Sequence, residues 1–187
     1  AVFLNGPESG SGDGPTNAVV RWCILSSTGD DGTIRLYATG AFKVDLYGNI
    51  VSGSSSSGGI NMSGYSGSYV VNVFNNDFIE PVDIGNPSGS GTLNLSNNIF
   101  YAVGATPLTD AGPDIDNHGN NIYRRTIAGT TLVSSGGSTY TSGTLTTYEA
   151  TGLSSNPSFS DVSSLPIGFV GGIPSPGGLA LTGSSAA

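Results

Sequence analysis

Four short stretches of the chain repeat one pattern of alternating side chains that ends in asparagine at a corner. They span 44–49, 71–76, 93–98 and 115–121, and a fifth stretch, 18–23, fits the same frame with cysteine at the corner. Alternation with period two is strand geometry. The corners follow one another at steps of 26, 27, 22 and 23 residues; they are Cys23, Asn49, Asn76, Asn98 and Asn121. Repeats of roughly 20 to 30 residues built from short strands predict a solenoid of stacked coils.

Three segments in and between these repeats carry a further pattern: 20–25 (VRWCIL), 31–36 (DGTIRL) and 95–100 (LSNNIF). They resemble coils of right-handed parallel β-helix proteins, the superfamily of pectate-lyase-like enzymes and phage tailspikes. Residues 154–161 resemble the turn near the end of such domains, and 179–187 resemble the start of their closing segment. The resemblance covers about residues 15 to 165. It implies an all-β, right-handed parallel β-helix of about 6 to 7 coils, and it leaves open whether the ends are truncated.

Composition and local pattern divide the chain into four predicted stretches. Residues 1–17 form an irregular N-terminal segment, and 18–126 form the coils. Residues 127–165 form a late coil with a polar insertion packed on the side of the stack, and 166–187 form an irregular C-terminal segment. Neither end carries a pattern typical of a cap. Either the chain is therefore part of a longer protein, or its ends stack on other subunits.

The charge balance limits the class of partner. The net charge is −8, and the chain has only five lysine and arginine residues. Binding to nucleic acid needs clustered cations, so a nucleic-acid partner is excluded. No apolar run approaches 18 residues, which excludes insertion into a membrane. A lone cysteine, Cys23, excludes an intrachain disulfide and is predicted to be a buried thiol. Few lysines and abundant serine, glycine, asparagine and threonine favour an extracellular, cell-surface or virion-surface location.

Alternate positions of the aligned strands are predicted to lie on opposite faces. The predicted inward positions are Val44, Val71, Leu93, Ile115, Leu46, Val73, Leu95 and Asn117. One predicted outward column contains Asp45, Asn72, Asn94 and Asp116, and the next contains Tyr47, Phe74, Ser96 and His118. The corner asparagines are predicted to be structural, because stacked amides can hydrogen-bond along the solenoid.

The outward columns combine aromatic rings with amide and carboxylate groups. A sugar needs this combination, since a ring face packs against its apolar side and paired polar groups bind its hydroxyls. The predicted glycan-binding residues are Asp45, Tyr47, Asn72, Phe74, Asn94 and Asp116, with His118 beside them. The alternative is that these are ordinary solvated strand residues, or that the insertion or a neighbouring chain covers them.

The densest set of chemically capable groups is the run from Asp114 to His118. Asp114, Asp116 and His118 alternate onto one predicted side and are candidates for general acid–base catalysis. Asp110 and Asp114 are candidate calcium ligands, and no other cofactor is expected. The basic cluster that lyases of this fold use is missing, and there is no nucleophile elbow or zinc-protease motif.

Three functions follow from these features. The first is a non-catalytic extracellular or virion-surface module that acts as a rigid structural or glycan-binding element, with a polysaccharide and other subunits as partners. The second is a fragment of a polysaccharide lyase or glycoside hydrolase. The third is a self-stacking filament subunit. The scarcity of basic residues favours the first function over a lyase.

Overall fold

The computed structural model describes residues 2–6, 16–27, 32–53, 59–63, 65–85, 87–110, 115–126, 129–159, 169–170 and 173–174. Over these residues the chain is an all-β parallel solenoid of about 4 turns, which confirms the predicted fold class. The predicted count of six to seven coils was too high. It treated the residues after 126 as further coils, but there the chain forms an antiparallel hairpin and a short helix instead.

Three consecutive strands form one rung of the solenoid, and the four steps between its five rungs correspond to the 4 turns. The first rung contains β1 (Val2–Asn5), β2 (Asn17–Arg21) and β3 (Ile24–Ser27). The second contains β4 (Ile34–Tyr37), β5 (Phe42–Tyr47) and β6 (Ile50–Gly53), and the third contains β7 (Ile60–Asn61), β8 (Ser68–Phe74) and β9 (Asp77–Phe78). The fourth contains β10 (Val82–Asp83), β11 (Ser90–Ser96) and β12 (Ile99–Ala102). The fifth contains β13 (Leu108–Asp110), β14 (Asn117–Gly119) and β15 (Ile122–Arg125).

Equivalent strands of successive rungs pair in parallel and build three sheets along the stack. The first sheet is interrupted between β7 and β10, so that it has two separately hydrogen-bonded parts, β1–β4–β7 and β10–β13. The second sheet has the order β2–β5–β8–β11–β14, and the third has the order β3–β6–β9–β12–β15. The first rung starts earlier than predicted, because β1 pairs with β4 in register from Val2↔Ile34.

The polar insertion closes the end of the stack instead of lying on its side. β16 (Thr131–Ser135) adds to the first sheet beside β13, and β17 (Ser138–Thr141) turns back antiparallel. A single helical turn, α1 (Leu145–Tyr148), follows, and Leu153 then bridges to Ile122 of the third sheet. We call residues 131–153 the cap. Beyond it, β18 (Phe169–Val170) and β19 (Ile173–Pro174) form a separate antiparallel pair, and the rest of the C-terminal segment lies outside the described residues.

The core is a narrow stack of apolar columns, as the alternation predicts. In the second sheet, Leu46, Val73 and Leu95 are in register and almost fully buried. In the third sheet, Phe78, Phe100 and Tyr123 stack face to face at 5.2 and 5.3 Å between ring centroids. Burial of one or two apolar side chains per strand therefore holds together a chain of low overall hydrophobic content.

The four corner asparagines form a continuous hydrogen-bonded column, the inner amide ladder: Asn49, Asn76, Asn98 and Asn121. In Asn49, Asn76 and Asn98, the backbone N–H and the Nδ2 group both donate to the Oδ1 of the asparagine on the next rung, at 2.9–3.1 Å. Each Nδ2 group also donates to a strand carbonyl of the preceding rung, as Asn98 does to Val73 O at 2.9 Å. All four amides are buried, so this pattern satisfies groups that would otherwise be costly to remove from water.

Glu149 of the cap ends the inner amide ladder. Its Oε1 accepts from the backbone N–H of Asn121 at 2.8 Å, and its Oε2 accepts from Asn121 Nδ2 at 3.0 Å and from the Tyr123 hydroxyl at 2.7 Å. At the other end, the half-buried Cys23 contributes only its backbone N–H, which donates to Asn49 Oδ1 at 3.1 Å. The predicted burial of the Cys23 thiol is therefore only partial.

The residue before each corner has a left-handed backbone. Gly48, Asn75, Asn97 and Asn120 occupy these positions with φ between 54° and 65°, and Trp22 occupies the first one at 55°. Glycine and asparagine tolerate this conformation better than other residues do. The corner motif is therefore a left-handed residue, which turns the chain between the second and third sheets, followed by the asparagine of the ladder.

We expect Leu95→Asp to lower the free energy of unfolding by roughly 3 to 5 kcal/mol, because it places an unpaired charge in the narrow core. Urea denaturation followed by circular dichroism measures the change. The matched control is Ser96→Asp, one residue along and on the opposite face, which we expect to change stability by about 0.5 kcal/mol or less. Equal effects of the two substitutions would contradict the inward assignment of Leu95.

We expect Asn98→Ala to cost about 1 to 3 kcal/mol, because the buried N–H of Asn76 and the carbonyl of Val73 lose their partner. The same denaturation experiment tests it, with the exposed Asn117→Ala as a control amide deletion on the last rung. An Asn98→Ala protein as stable as the control would show that the inner amide ladder does not hold the corners.

Candidate functional site

The outer face of the second sheet carries a second column of polar side chains, the outer amide ladder: Asp45, Asn72, Asn94 and Asn117. Asn117 Nδ2 donates to Asn94 Oδ1 at 2.8 Å, and Asn94 Nδ2 donates to Asn72 Oδ1 at 2.7 Å. Asn72 Nδ2 then donates to Asp45 Oδ1 at 2.7 Å. The other carboxylate oxygen of Asp45 lies 3.4 Å from Lys43 Nζ. Three of the predicted glycan-binding residues, Asp45, Asn72 and Asn94, are thus brought together.

The adjacent outward column holds the two predicted aromatic residues, in register with Arg21 and Ser96. Tyr47 and Phe74 stack with ring centroids 4.8 Å apart and planes within 9°. Arg21 Nη1 donates to the Tyr47 hydroxyl at 3.0 Å. The two aromatic rings cover each other on one face. Phe74 therefore has its other face toward the next rung, where the equivalent residue is the small Ser96.

A depression of about 230 Å³ opens beyond Phe74, over β11 and β14. It exists because the outward column ends in the small residues Ser96 and Gly119, so no side chain continues the aromatic stack. The lining residues are Asn94, Leu95, Ser96, Asn117, His118 and Gly119. Amide and hydroxyl groups thus lie within one rung of the Phe74 ring, a distance of about 4.8 Å.

The face assignment of the last repeat was wrong by one residue. Asn94 pairs with Asn117 and Leu95 pairs with His118, so Asn117 points outward and His118 occupies the inward column. The stretch 115–121 has seven residues where the others have six, and its alternation was matched at the first residue instead of at the corner. Counting back from Asn121 would have given the correct register, because the corner hydrogen bonds fix the strand before it.

Two of the three predicted catalytic residues, Asp116 and His118, lie two positions apart in the chain and have different neighbours. Asp116 lies beside Leu93 and accepts a hydrogen bond from its backbone N–H at 2.8 Å. The ring of His118 stacks on Tyr148 of the cap at 4.3 Å, and its Nδ1 lies 3.7 Å from Glu149 Oε2. Asp114 lies outside the described residues. Asp116 and His118 therefore occupy different environments, one at the surface and one against the cap.

The candidate calcium ligand Asp110 lies in β13 of the first sheet, whereas the outer amide ladder lies on the second sheet. It is buried, and its Oδ2 accepts from Ser135 Oγ at 3.0 Å. No cluster of three or more histidine, cysteine, aspartate or glutamate residues suited to a metal occurs in the part of the chain that the structure describes. The hydrogen bond between Ser135 and Asp110 links β16 to β13.

Two further acids lie in and just after β9 of the third sheet: Asp77, which is partly buried, and Glu80, which is buried. Burial raises the pKa of Glu80 from 4.5 to about 7, while a hydrogen bond from Thr33 Oγ1 at 2.9 Å opposes the rise. Burial also raises the pKa of Asp77 from 3.8 to about 6. Glu80 passes close to Gly59, where a Cβ would lie 3.3 Å from Glu80 Oε1. Glycine at this position leaves room for the carboxyl to reach Thr33.

We expect stability to fall as the pH rises from 4.5 to 7, because the unfolded chain releases the Glu80 proton near 4.5 whereas the folded chain holds it until about 7. Melting temperatures measured across this range test the trend. Glu80→Gln should reduce the decrease in melting temperature between pH 4.5 and 7. Asp77→Asn should remove the smaller contribution of Asp77, which is complete near pH 6. A Glu80→Gln protein with the full wild-type pH dependence would contradict the assignment.

Sequence reasoning missed two residues of importance, Trp22 and Glu149. Trp22 flanks the outer face, is 64% exposed, and contacts Tyr47 edge to face at 6.0 Å between ring centroids. Its place before a corner, where the other repeats have glycine or asparagine, is a signal visible in the sequence. Glu149 carried no such signal, because its role depends on how the cap folds back onto Asn121.

No protein-family model matches the chain, and neither a curated protein nor a solved structure matches it. The described residues contain no helix long and apolar enough to cross a membrane.

Proposed function

We propose that this chain is a rigid, non-catalytic β-solenoid module that binds an extended polysaccharide on the outer face of its second sheet. The observation that carries the proposal is the outer amide ladder running beside the stacked Tyr47 and Phe74, with the depression over β11 and β14 at the end of the aromatic pair. In this role the module resembles the non-enzymatic parts of tailspike-like and pectate-lyase-like proteins. We place it outside the cell, at a cell surface or on a virion.

The outer amide ladder supports the proposal because its amides are held in fixed positions. Each Nδ2 group carries two hydrogens, and the ladder uses one of them. The second hydrogen of Asn72, Asn94 and Asn117 is left for a ligand hydroxyl. Because the side chains are already ordered by the ladder, little conformational entropy is lost when a ligand binds.

The repeat of the rungs suits a long ligand better than a small one. Equivalent amides recur about every 4.8 Å along the stack. A chain of sugar rings lying along the stack would meet an amide at each rung and the face of Phe74 at the depression. A shallow face of this kind favours a polymer, which gains affinity from several weak contacts at once.

Two alternatives are less well supported. A lyase or hydrolase fragment would need Asp116 and His118 to act together, whereas the His118 ring is stacked on Tyr148 and the Asp116 carboxylate accepts a hydrogen bond from the Leu93 N–H. A filament stacked end to end would need open edges at both ends, and the cap occupies the end next to the fifth rung. Assembly with other subunits through other surfaces is compatible with the binding role.

We expect Phe74→Ala and Asn94→Ala each to weaken polysaccharide binding by about tenfold or more, since each removes one contact type from the same site. Affinity electrophoresis in gels containing cellulose derivatives, xylan, mannan, dextran or pectate measures the retardation. Val70→Ala and Thr92→Ala, outward residues on the same two strands, are the matched controls and should migrate as the wild type does. Melting temperatures of all four variants check that the fold is retained.

A wild-type protein that no polysaccharide retards would overturn the proposed function. Cleavage of any of these polymers by the wild type, lost in both Asp116→Asn and His118→Ala, would support the enzyme alternative instead. Equal weakening by the control variants would show that retardation depends on the whole surface and not on the Phe74 site.

A further inference from the structure

Trp22 has a backbone conformation that is unusual for its residue type. Its φ of 55° places it in the left-handed region, where the equivalent residues of the other rungs are Gly48, Asn75, Asn97 and Asn120. A bulky residue is disfavoured in this region, and such outliers concentrate at functional sites. Burial does not compensate for the strain, because Trp22 is 64% exposed. The strained backbone of Trp22 is thus not offset by burial of its side chain in the core.

The indole of Trp22 is supported on one side by the next rung. A Cβ at Gly48 would lie 2.5 Å from its Cε3 and Cζ3 atoms, so only glycine lets the ring approach this closely. Tyr47 meets the indole edge to face, with an angle of 85° between the planes. The large exposed fraction shows that much of the remaining ring surface is open to solvent. The result is a fixed, exposed aromatic platform at the first rung.

Polar groups surround this platform. The Tyr47 hydroxyl accepts a hydrogen bond from Arg21 Nη1, which leaves its own proton for an acceptor on a ligand. The acidic end of the outer amide ladder, Asp45, lies next to Tyr47 on the same face. A ring face, a hydroxyl donor and a nearby carboxylate acceptor match a sugar ring, whose hydroxyls both donate and accept hydrogen bonds.

We infer that Trp22 is the platform on which one terminal sugar ring of a neutral polysaccharide stacks. This inference rests on the proposed function and extends it to the first rung and to the class of polymer. We expect the polymer to be neutral because the net charge of −8 opposes a polyanion, and because the two basic residues beside the face are already engaged, Lys43 with Asp45 and Arg21 with the Tyr47 hydroxyl. The ligand thus spans the face from Trp22 to the depression beyond Phe74.

The chain contains a single tryptophan, so its fluorescence reports on this site alone. We expect titration with the neutral polysaccharide that retards the wild type most to change Trp22 emission with a saturable dependence on concentration. Trp22→Asn installs a residue that Asn75 shows is compatible with the left-handed backbone. We expect this variant to melt no lower than the wild type but to bind about tenfold more weakly in affinity electrophoresis.

Phe3→Ala is the control, since Phe3 is an exposed aromatic residue on the first sheet, and its affinity should equal that of the wild type. Three outcomes overturn the inference. If polysaccharide retards the wild type but Trp22→Asn binds equally well and Trp22 emission does not change, Trp22 is not a sugar-stacking residue. The proposed polysaccharide-binding function would still stand. Retardation by pectate and by no neutral polymer would show that the ligand is anionic and would overturn the inference of a neutral polysaccharide. Absence of any retardation removes the proposed function and this inference together.

Discussion

The inner amide ladder is the interaction on which the rest of this structure depends. A solenoid must bend its chain between sheets, and each bend removes backbone groups from regular strand pairing. Here one asparagine per rung satisfies those groups. Its Oδ1 accepts two hydrogen bonds from the preceding rung and its Nδ2 donates two, as Asn98 shows. Buried amides are tolerable only when fully paired, so each asparagine depends on the next. That dependence holds the strands in register and sets which side chains reach the outer face.

The two ladders run in opposite directions, and each ends at a carboxylate. The inner one donates toward the C-terminal end and finishes at Glu149, whereas the outer one donates toward the N-terminal end and finishes at Asp45. A row of amides that each donate to the next needs an acceptor at its last member, and an ionised carboxylate only accepts. The buried end is closed by a residue of the cap, while the exposed end is balanced by Lys43. The same chemistry thus stabilises the corner and orders the proposed binding face.

The proposed binding face follows from how the outward columns change along the stack. The outward column next to the corner contains Arg21, Tyr47, Phe74, Ser96 and Gly119 in order, so that it changes from large to small residues along the stack. Trp22, at the first corner, contacts Tyr47 of this column. The rungs form a rigid repeating frame, and the change of residue at equivalent positions makes the two ends of the outer face chemically different. The two described residues considered for catalysis make other contacts: Asp116 accepts a hydrogen bond from the Leu93 N–H, and His118 stacks on Tyr148 of the cap.

The sequence by itself determined the solenoid, the inward apolar columns of the strands before the corners and the corner asparagines, because alternation and spacing are local properties that repeat. It also placed Asp45, Asn72, Asn94, Tyr47 and Phe74 on one face. The number of turns, the inward position of His118, the capping role of Glu149 and the exposure of Trp22 were decided only in the tertiary structure. Each depends on a contact between residues far apart in the chain. The register of the last repeat is fixed by the pairing of β14 with β11, and Glu149 reaches Asn121 only because the cap turns back over the stack.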